Sequence, residues 1–360
     1  AISRMENGTI RIIKSLDTQK DTTPSCIAVN QKGNLFVGDK AYLNYRSNSL
    51  KNLSNNTSFN SYIEFKRTMG TDKKYHSSFT EKDFSSEELS AEVLKRLKEY
   101  IQDENISAVI VTVPAAFKNN QIDATRKAAQ LAGFSHIEVL QEPVAASMAY
   151  GLENLNKDGF WLVFDFGGGT FDTALLRVED GIMRVVDTEG DNYLGGKNLD
   201  FAIVDQLILP HIQDRFSIHN ILSDDKRKAE FRNALKFFAE EIKNNLSFNA
   251  SHNIYVDPGD CGEDDEGEEI DIDLTITQED LARILTPVFQ RAVDLSLKLI
   301  ERNNLKGSDL ESLILVGGPT LSPILRKMLE SQIRKPDTNV DPMTVVSKGA
   351  ALYASTIDIA

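Results

Sequence analysis

Two aspartates, Asp165 and Asp172, flank three consecutive glycines, Gly167, Gly168 and Gly169, in the stretch FWLVFDFGGGTFDTALL. Glycine weakens a strand, so three together between two apolar runs need a reason. A bare turn can aim several backbone N–H groups into one concavity and admit a phosphate to contact distance. With period two along the second run, Thr170 and Asp172 face the same side. Carboxylates beside a phosphate repel it unless a cation lies between them, and Mg2+ held through its waters suits that role. The segment therefore predicts a nucleotide–magnesium site, against the plainer alternative of a bulged hairpin with an exposed tip. Neither a G-x-x-x-x-G-K-[ST] loop nor a G-x-G-x-x-G fingerprint occurs, which disfavours P-loop and Rossmann chemistry.

Two further glycine pairs precede helical patterns. Gly195 and Gly196 lie in DNYLGGKNLD, and Gly317 and Gly318 lie in LILVGGPTLSP. A strand–glycine–helix order lets a nucleotide approach a helix N-terminus. Each pair alone is weak; the three glycine segments together are stronger. The helix expected over 223–247 carries Phe231, Leu235, Phe238, Ile242 and Leu246 on one stripe, and Glu240, Lys243 and Ser247 on a polar face. Spacing alone makes that face a solvated one.

These residues need elements to hold them. Asn7-Gly8 between ISRM and TIRII predicts an opening hairpin. A polar stretch with few periodic segments runs to about Phe84. SSEELSAEVLKRLKEYIQ then reads as a helix with a Ser85/Glu88 capping box and a Leu89, Val93, Leu97, Ile101 stripe. AVIVTVP, ending at Pro114, is an almost wholly apolar strand, as expected in the middle of a covered sheet. A helix closed by Gly133, the strand HIEVL and a helix opened by EPVAASMAYGL follow, giving βαβα and a parallel sheet. From Gly159 three consecutive strands restart the pattern, and a boundary is expected near Leu155 to Gly159. Two halves of similar order point to a duplicated α/β fold.

The chain has 360 residues, 41% hydrophobic and 26% charged, which permits two lobes with separate cores. A formal net charge of −14 argues against nucleic acid as a partner. No apolar run long enough for a membrane span occurs, and the first ten residues carry no signal-peptide pattern. Part of the acidity sits in DPGDCGEDDEGEEIDID (257–273), which lacks calcium-loop spacing and reads as a solvated acidic loop. Two distant cysteines, Cys26 and Cys261, suit a reducing compartment.

FDFGGGTFD, VTVPAAFKNNQIDATRKAAQLAG, QEPVAASMAYGL, YLGGKNLD and LILVGGPT, with FKRTMG and the closing VSKGAALYAS, resemble the ATPase domain of the seventy-kilodalton heat-shock chaperones of the DnaK type. The likeness covers nearly the whole chain in order. It implies an actin-like ATPase fold of class α/β, two lobes of mixed sheet with flanking helices around a central nucleotide cleft. Lobe I would be 1–157, with a core of 1–24 and 91–157 and a small subdomain of 25–90. Lobe II would be 158–360, with a core of 158–196 and 279–360 and a small subdomain of 197–278. The resemblance implies that Lys66 helps set the attacking water, that Glu142 and Asp165 hold Mg2+ through water, that Asp172 lies near the metal and a potassium site, and that Thr170 lies near the γ-phosphate. Gly167, Gly168 and Gly169 match a phosphate loop; Gly195, Gly196, Gly317 and Gly318 match nucleotide contacts. Glu240, Lys243 and Ser247 match a nucleoside-gripping face, which overrides the solvated reading. Pro114 matches an allosteric switch. ATP and ADP with Mg2+ and K+ would be the ligands, a J-domain co-chaperone and a nucleotide exchange factor the partners, and the cytoplasm the location.

Some positions depart from the pattern. The D-x-G-T-T phosphate loop does not occur in this sequence. Asn244 and Leu321 stand where many members carry arginines, Pro319 where they carry serine, and Ile122 where they carry an arginine of the relay. No client-binding segment occurs within the 360 residues. Three readings follow: a chaperone-type ATPase, a nucleotide-binding scaffold or regulator with little catalysis, and a small-molecule kinase or filament former of the same superfamily. For the kinase reading, no acceptor-site aspartate is identifiable.

Overall fold

The structure, a computed structural model, describes residues 1–51, 58–151 and 158–357, with the side chain of residue 51 left aside. The hairpin forms as expected. β1 (Ile2–Glu6) pairs antiparallel with β2 (Thr9–Ile13) through Asn7 and Gly8, both at positive φ, the conformation that Asn-Gly turns favour.

The following stretch is more ordered than its composition predicts. β3 (Cys26–Asn30) is the centre of a sheet with β4 (Leu35–Val37) and β5 (Phe59–Ile63), and α1 (Asp39–Lys51) packs on it. β3 is only five residues long, and its first four are fully buried. Such a run shows no period, so it carries no signature of its own. α1 is rich in Asn, Ser and Tyr, and its helix comes from tertiary packing rather than propensity. A 3-10 turn over Phe65–Thr68 and the hairpin β6 (Lys74–Ser77) and β7 (Lys82–Ser85) complete the segment.

α2 (Ser86–Glu99) starts at the expected capping box: Ser85 Oγ accepts from the Glu88 amide at 3.2 Å, and Glu88 Oε2 accepts from the Ser85 amide at 2.8 Å. Leu89 and Val93 are buried and Leu97 packs beside them, whereas Ile101 lies past the helix end. β8 (Ala108–Val113) and β9 (His136–Gln141) pair in parallel around α3 (Asn119–Leu131), and α4 (Glu142–Gly151) follows. Gly133 closes α3 at φ 84. β8 departs from its expected central place. Among the described residues it pairs with β9 alone, and only Val113 in it is fully buried. Among the described residues the first half thus holds the ribbons β1–β2, β6–β7 and β8–β9 beside the β4-β3-β5 sheet.

The second half of the chain holds one four-stranded sheet. β10 (Gly159–Phe166), β11 (Phe171–Glu179) and β12 (Ile182–Asp191) form an antiparallel meander. α5 (Gly196–Ile203), a π-turn over Val204–Ile208 and α6 (Leu209–Gln213) run on from one another; α7 (His219–Ser223) follows. α8 (Asp225–Asn245) buries the whole expected stripe. β13 (Ser251–Val256) and β14 (Ile272–Thr277) form a hairpin, and α9 (Gln278–Arg302) leads to β15 (Leu310–Val316), parallel to β10. α10 (Pro323–Gln332) and α11 (Val345–Ala354) end the described chain.

Alternation sets the two faces of β10. Leu162, Phe164 and Phe166 join Phe171, Leu199, Phe231 and Phe289 in the main core. Trp161 and Val163 join Ala146 and Tyr150 of α4 and Val345 of α11 in a second core. The sheet is thus covered on both sides, and its strand ends are fixed in space. The acidic loop also differs from a merely solvated one. Asp264, buried, accepts from the amides of Ser217, Glu266 and Glu268 at 2.8–3.0 Å, and Asp265 accepts from those of Asn220 and Ile221 at 2.6 and 3.2 Å. These carboxylates stitch the loop to the start of α7. Both cysteines are free and buried, and burial pushes each thiol up to about 12.

Candidate functional site in the cleft

Asp165 and Asp172 are directly opposite each other in the β10–β11 ladder. The antiparallel register brings the two acids together at the sheet end, next to the glycine turn. Glu142, first residue of α4, faces them, and Lys66 donates to Glu142 Oε1 at 2.7 Å. Pro114 lines the same recess as Glu142, Asp165 and Asp172. Four sequence-predicted residues and the candidate switch proline therefore meet at one point.

Electrostatics there are strained in a useful way. Burial, then the charges of Glu142 and Asp172, push the Asp165 carboxyl well above its ordinary value against the pull of Lys66. Burial and Glu142 raise Asp172 to about 6, opposed by Lys66 and by a hydrogen bond from Thr170. Removal from water acts against the Lys66 charge, but Glu142, helped by Asp165 and Asp172, wins and raises its pKa. Three carboxylates share one ammonium, so the site is short of positive charge. Among the described residues no three acidic, histidine or cysteine side chains are close enough to grip a bare ion. The set suits a hydrated Mg2+ held through its waters.

The glycine turn is fixed from below by α5. Gly167 and Gly168 carbonyls accept from the Gly196 and Lys197 amides at 2.9 and 2.8 Å. The Gly196 and Lys197 amides at the start of α5 are thereby engaged by the turn. A Cβ at Gly195 would lie 2.5 Å from Gly169 Cα, and one at Gly317, at φ 92, would lie 2.2 Å from the Phe166 carbonyl oxygen. Those glycines allow backbone to touch backbone. Gly196 and Gly318 are less tight, with nearest atoms at 3.4 and 3.2 Å, the latter Met343 Sδ. Gly168 is different: it is exposed, and nothing stands within 4 Å of where its Cβ would be.

The remaining expected residues lie on α8 or just after it. Glu240 accepts from the Tyr42 hydroxyl of α1, Lys243 pairs with the buried Asp200 of α5, and Ser247 Oγ donates to the Lys243 carbonyl at 3.0 Å. All three expected residues share this region, each already engaged by protein. Burial and then Glu240 raise the Tyr42 phenol, which stays a donor; burial raises Asp200 against the pull of Lys243. Asn244 is exposed beside them, and Pro319 packs near Gly196.

Sequence reasoning missed Glu64, Arg67, Lys197, Tyr42 and Asp200. Arg67 donates to the Gly169 carbonyl and, at 3.4 Å, to Glu64, while Lys197 reaches Glu64 at 3.3 Å. Glu64 sits at φ 58, rare for a side-chain-bearing residue, just before the Lys66 turn. The closeness of Glu64 and Arg67 to Lys66 and of Lys197 to Gly196 was the available signal; Tyr42 and Asp200 meet Glu240 and Lys243 only across long stretches of sequence.

Comparison with known proteins agrees with this architecture. The family model described as Hsp70 protein matches residues 1–358. A chaperone protein DnaK of Methanothermobacter thermautotrophicus is 32% identical over 93% of this chain and 53% of its own length. One from Metamycoplasma hominis is 32% identical over 99% of the chain and 57% of its length, and one from Thermosipho africanus 33% over 93% and 54%. The chain thus spans about half the length of the curated relatives it matches. With its mixed sheets and flanking helices in the actin-like arrangement, the chain belongs to the Hsp70 family, in the part that forms its nucleotide-binding domain.

Proposed function

We propose that this chain binds ATP and ADP with Mg2+ in the cleft and transfers the γ-phosphoryl group to water, coupled to lobe closure. The observation that carries the reading is the convergence of Asp165, Asp172 and Glu142 on Lys66 beside the exposed Gly168. Phosphoryl transfer requires positioning and charge compensation more than covalent chemistry. Asp165, Asp172 and Glu142 would hold the hydrated metal, which supplies positive charge against the phosphate oxygens. Lys66, displaced from Glu142, would orient the water and share the developing negative charge. Thr170 would meet the γ-phosphate, and Gly167, Gly168 and Gly169 would admit the phosphates without a side chain in the way. Glu240, Lys243 and Ser247 would hold the nucleoside after exchanging their present partners. Asp172 would also border a potassium ion.

On this reading lobe I is 1–157 and lobe II 158–360, and Pro114 relays the state of the cleft outward. A J-domain co-chaperone, an exchange factor and a client-binding domain belong to the same proposal, as does a cytoplasmic location. Lys66→Ala should lower single-turnover hydrolysis by about 100-fold or more while nucleotide affinity stays within a few-fold. Unchanged hydrolysis would remove Lys66 from the mechanism.

A second reading, a nucleotide-binding scaffold with weak hydrolysis, draws on the side chains already paired at both ends of the cleft. A calorimetric titration with ATP combined with a phosphate-release assay separates the two: a scaffold binds and releases nothing.

A further inference from the structure

The glycine turn has a second anchor, and it comes from the first half of the chain. The carbonyls of Gly167 and Gly168 accept from the first amides of α5. The carbonyl of Gly169 accepts instead from the guanidinium of Arg67, 102 residues earlier. Gly169 must be bare for this contact. A Cβ there would lie 2.5 Å from Arg67 Nη2 and 3.0 Å from Glu64 Oε1.

The guanidinium is held from three sides. Besides the Gly169 carbonyl, Glu64 accepts from Arg67 at 3.4 Å and from Lys197 at 3.3 Å, so one carboxylate ties Arg67 to the start of α5. The Tyr193 ring centroid lies 5.9 Å from the Arg67 Cζ, within range of cation–π attraction. Only 25% of the arginine side chain is exposed. Arg67 also follows Lys66 directly in the Phe65–Thr68 turn. One short turn therefore sends an ammonium to the acids and a guanidinium to the glycine backbone.

A trans peptide is planar, with its C=O and N–H on opposite sides. The carbonyls of Gly167, Gly168 and Gly169 share their planes with the amides of Gly168, Gly169 and Thr170. Drawing those carbonyls toward α5 and Arg67 turns the three amides the other way. Among the described residues none of the three amides donates to a protein group. Successive N–H groups aimed to one side make an anion-binding concavity. α5 fixes the first two; for the third, the Thr170 amide, the tie is Arg67.

We propose that Arg67 is a positioning residue that sets the Gly169–Thr170 peptide for the terminal phosphate of a nucleoside triphosphate, and so makes the cleft prefer the triphosphate to the diphosphate. The inference rests on the reading of the cleft as a nucleotide site. Arg67 acts through the backbone it holds. Thr170 carries both the amide that Arg67 orients and the hydroxyl that bonds Asp172. Without the guanidinium that peptide is free to rotate, which removes a donor at the last phosphate and leaves the α5-anchored peptides as they are.

The test uses the whole chain and two variants. Arg67→Met keeps the apolar stem and loses the donors. Gly169→Ala keeps the arginine and puts a methyl against it. Calorimetry with Mg2+ present compares ADP with the β,γ-imido analogue of ATP, which is not hydrolysed. In both variants the triphosphate analogue should bind about tenfold or more weakly while ADP stays within about threefold, the ratio expected for one hydrogen bond involving a charged partner. With isotope-labelled threonine and no nucleotide, the Thr170 amide resonance should move in Arg67→Met. Equal weakening of both nucleotides, no weakening of either, or an unmoved Thr170 resonance would overturn the positioning role and leave the nucleotide reading standing. A native chain that binds neither nucleotide would overturn both. Either variant alone suffices for the comparison of nucleotides if the other does not fold.

Discussion

Asp172 is held at a cost that pH can reveal. Burial, then Glu142, raises its pKa from 3.8 to about 6, so the folded state binds the proton more tightly than the unfolded chain. Stability from this group is greatest at low pH and falls as pH rises through about 6, the reverse of the usual ion-paired aspartate. A shift of that size corresponds to at most about 3 kcal/mol, less wherever water reaches the carboxylate. Asp172→Asn should therefore melt higher than the native chain at pH 8, with the gap closing toward pH 5. Parallel melting curves across that range would show that the carboxylate is not strained. The same substitution removes one proposed holder of the hydrated metal, so gained stability and lost magnesium dependence should appear together. The residue type and spacing announced this site: two acids at a glycine turn predict a cation and a phosphate. The strength of the effect was not legible, because Glu142 and Lys66 reach Asp172 only through the packing of α4 and the Phe65–Thr68 turn.

Elements explain why some glycines are obligatory and others free. Gly195→Ala would put a methyl 2.5–2.6 Å from three backbone atoms of Gly169. Backbone cannot swing aside as a side chain can, so α5 must detach from the turn whose Gly167 and Gly168 carbonyls it caps. A loss of about 1–3 kcal/mol in a urea melt is expected, the usual range for overpacking. Gly168→Ala meets nothing within 4 Å and should change stability by less than about 0.5 kcal/mol, as surface substitutions do. On the proposed reading it should still weaken nucleotide binding, since the methyl would enter the space a phosphate uses. Equal destabilisation by both changes would contradict the geometry. The strands β10, β11 and β15 and the helices α2, α3 and α8 were readable from period, caps and apolar stripes. β3 and α1 were not: one is a short, fully buried run and the other a helix without strong propensity. The break of α5 at a π-turn carries no local mark either, since the apolar pattern of NLDFAIVDQLILPHI continues across it.

At the scale of the molecule, the segments 25–90 and 197–278 touch through α1 and α8. Tyr42 and Tyr45 of α1 meet Phe237 of α8 edge-on, with ring centroids 5.9 and 5.3 Å apart. Tyr42 also donates to Glu240, Arg46 lies 5.6 Å over the Phe238 ring, and Arg46 approaches Glu241 at 3.9 Å. Nearer the acids, the Glu64–Lys197 pair crosses between the same parts of the chain, and Arg67 reaches the Gly169 carbonyl of the glycine turn. Most of these polar ties are exposed or half-buried and individually worth little, on the order of 0.5 kcal/mol. The Tyr42–Glu240 bond stands apart: the phenol is half-buried, its acceptor is charged, and Glu240 belongs to the proposed nucleoside-holding face. A nucleotide would then have to compete with Tyr42 for that carboxylate, and its release would be helped when Tyr42 returns. Tyr42→Phe keeps both ring contacts and removes only the hydroxyl. It should tighten nucleotide binding about 10- to 150-fold, the range of a hydrogen bond to a charged group being about 1.5–3 kcal/mol, with the gain appearing mainly as slower release. Stopped-flow displacement of a fluorescent nucleotide measures that rate directly. Faster release in Tyr42→Phe would mean that the bond acts as a latch over the bound nucleotide instead of a competitor for its site, and would reverse the order of events at the cleft.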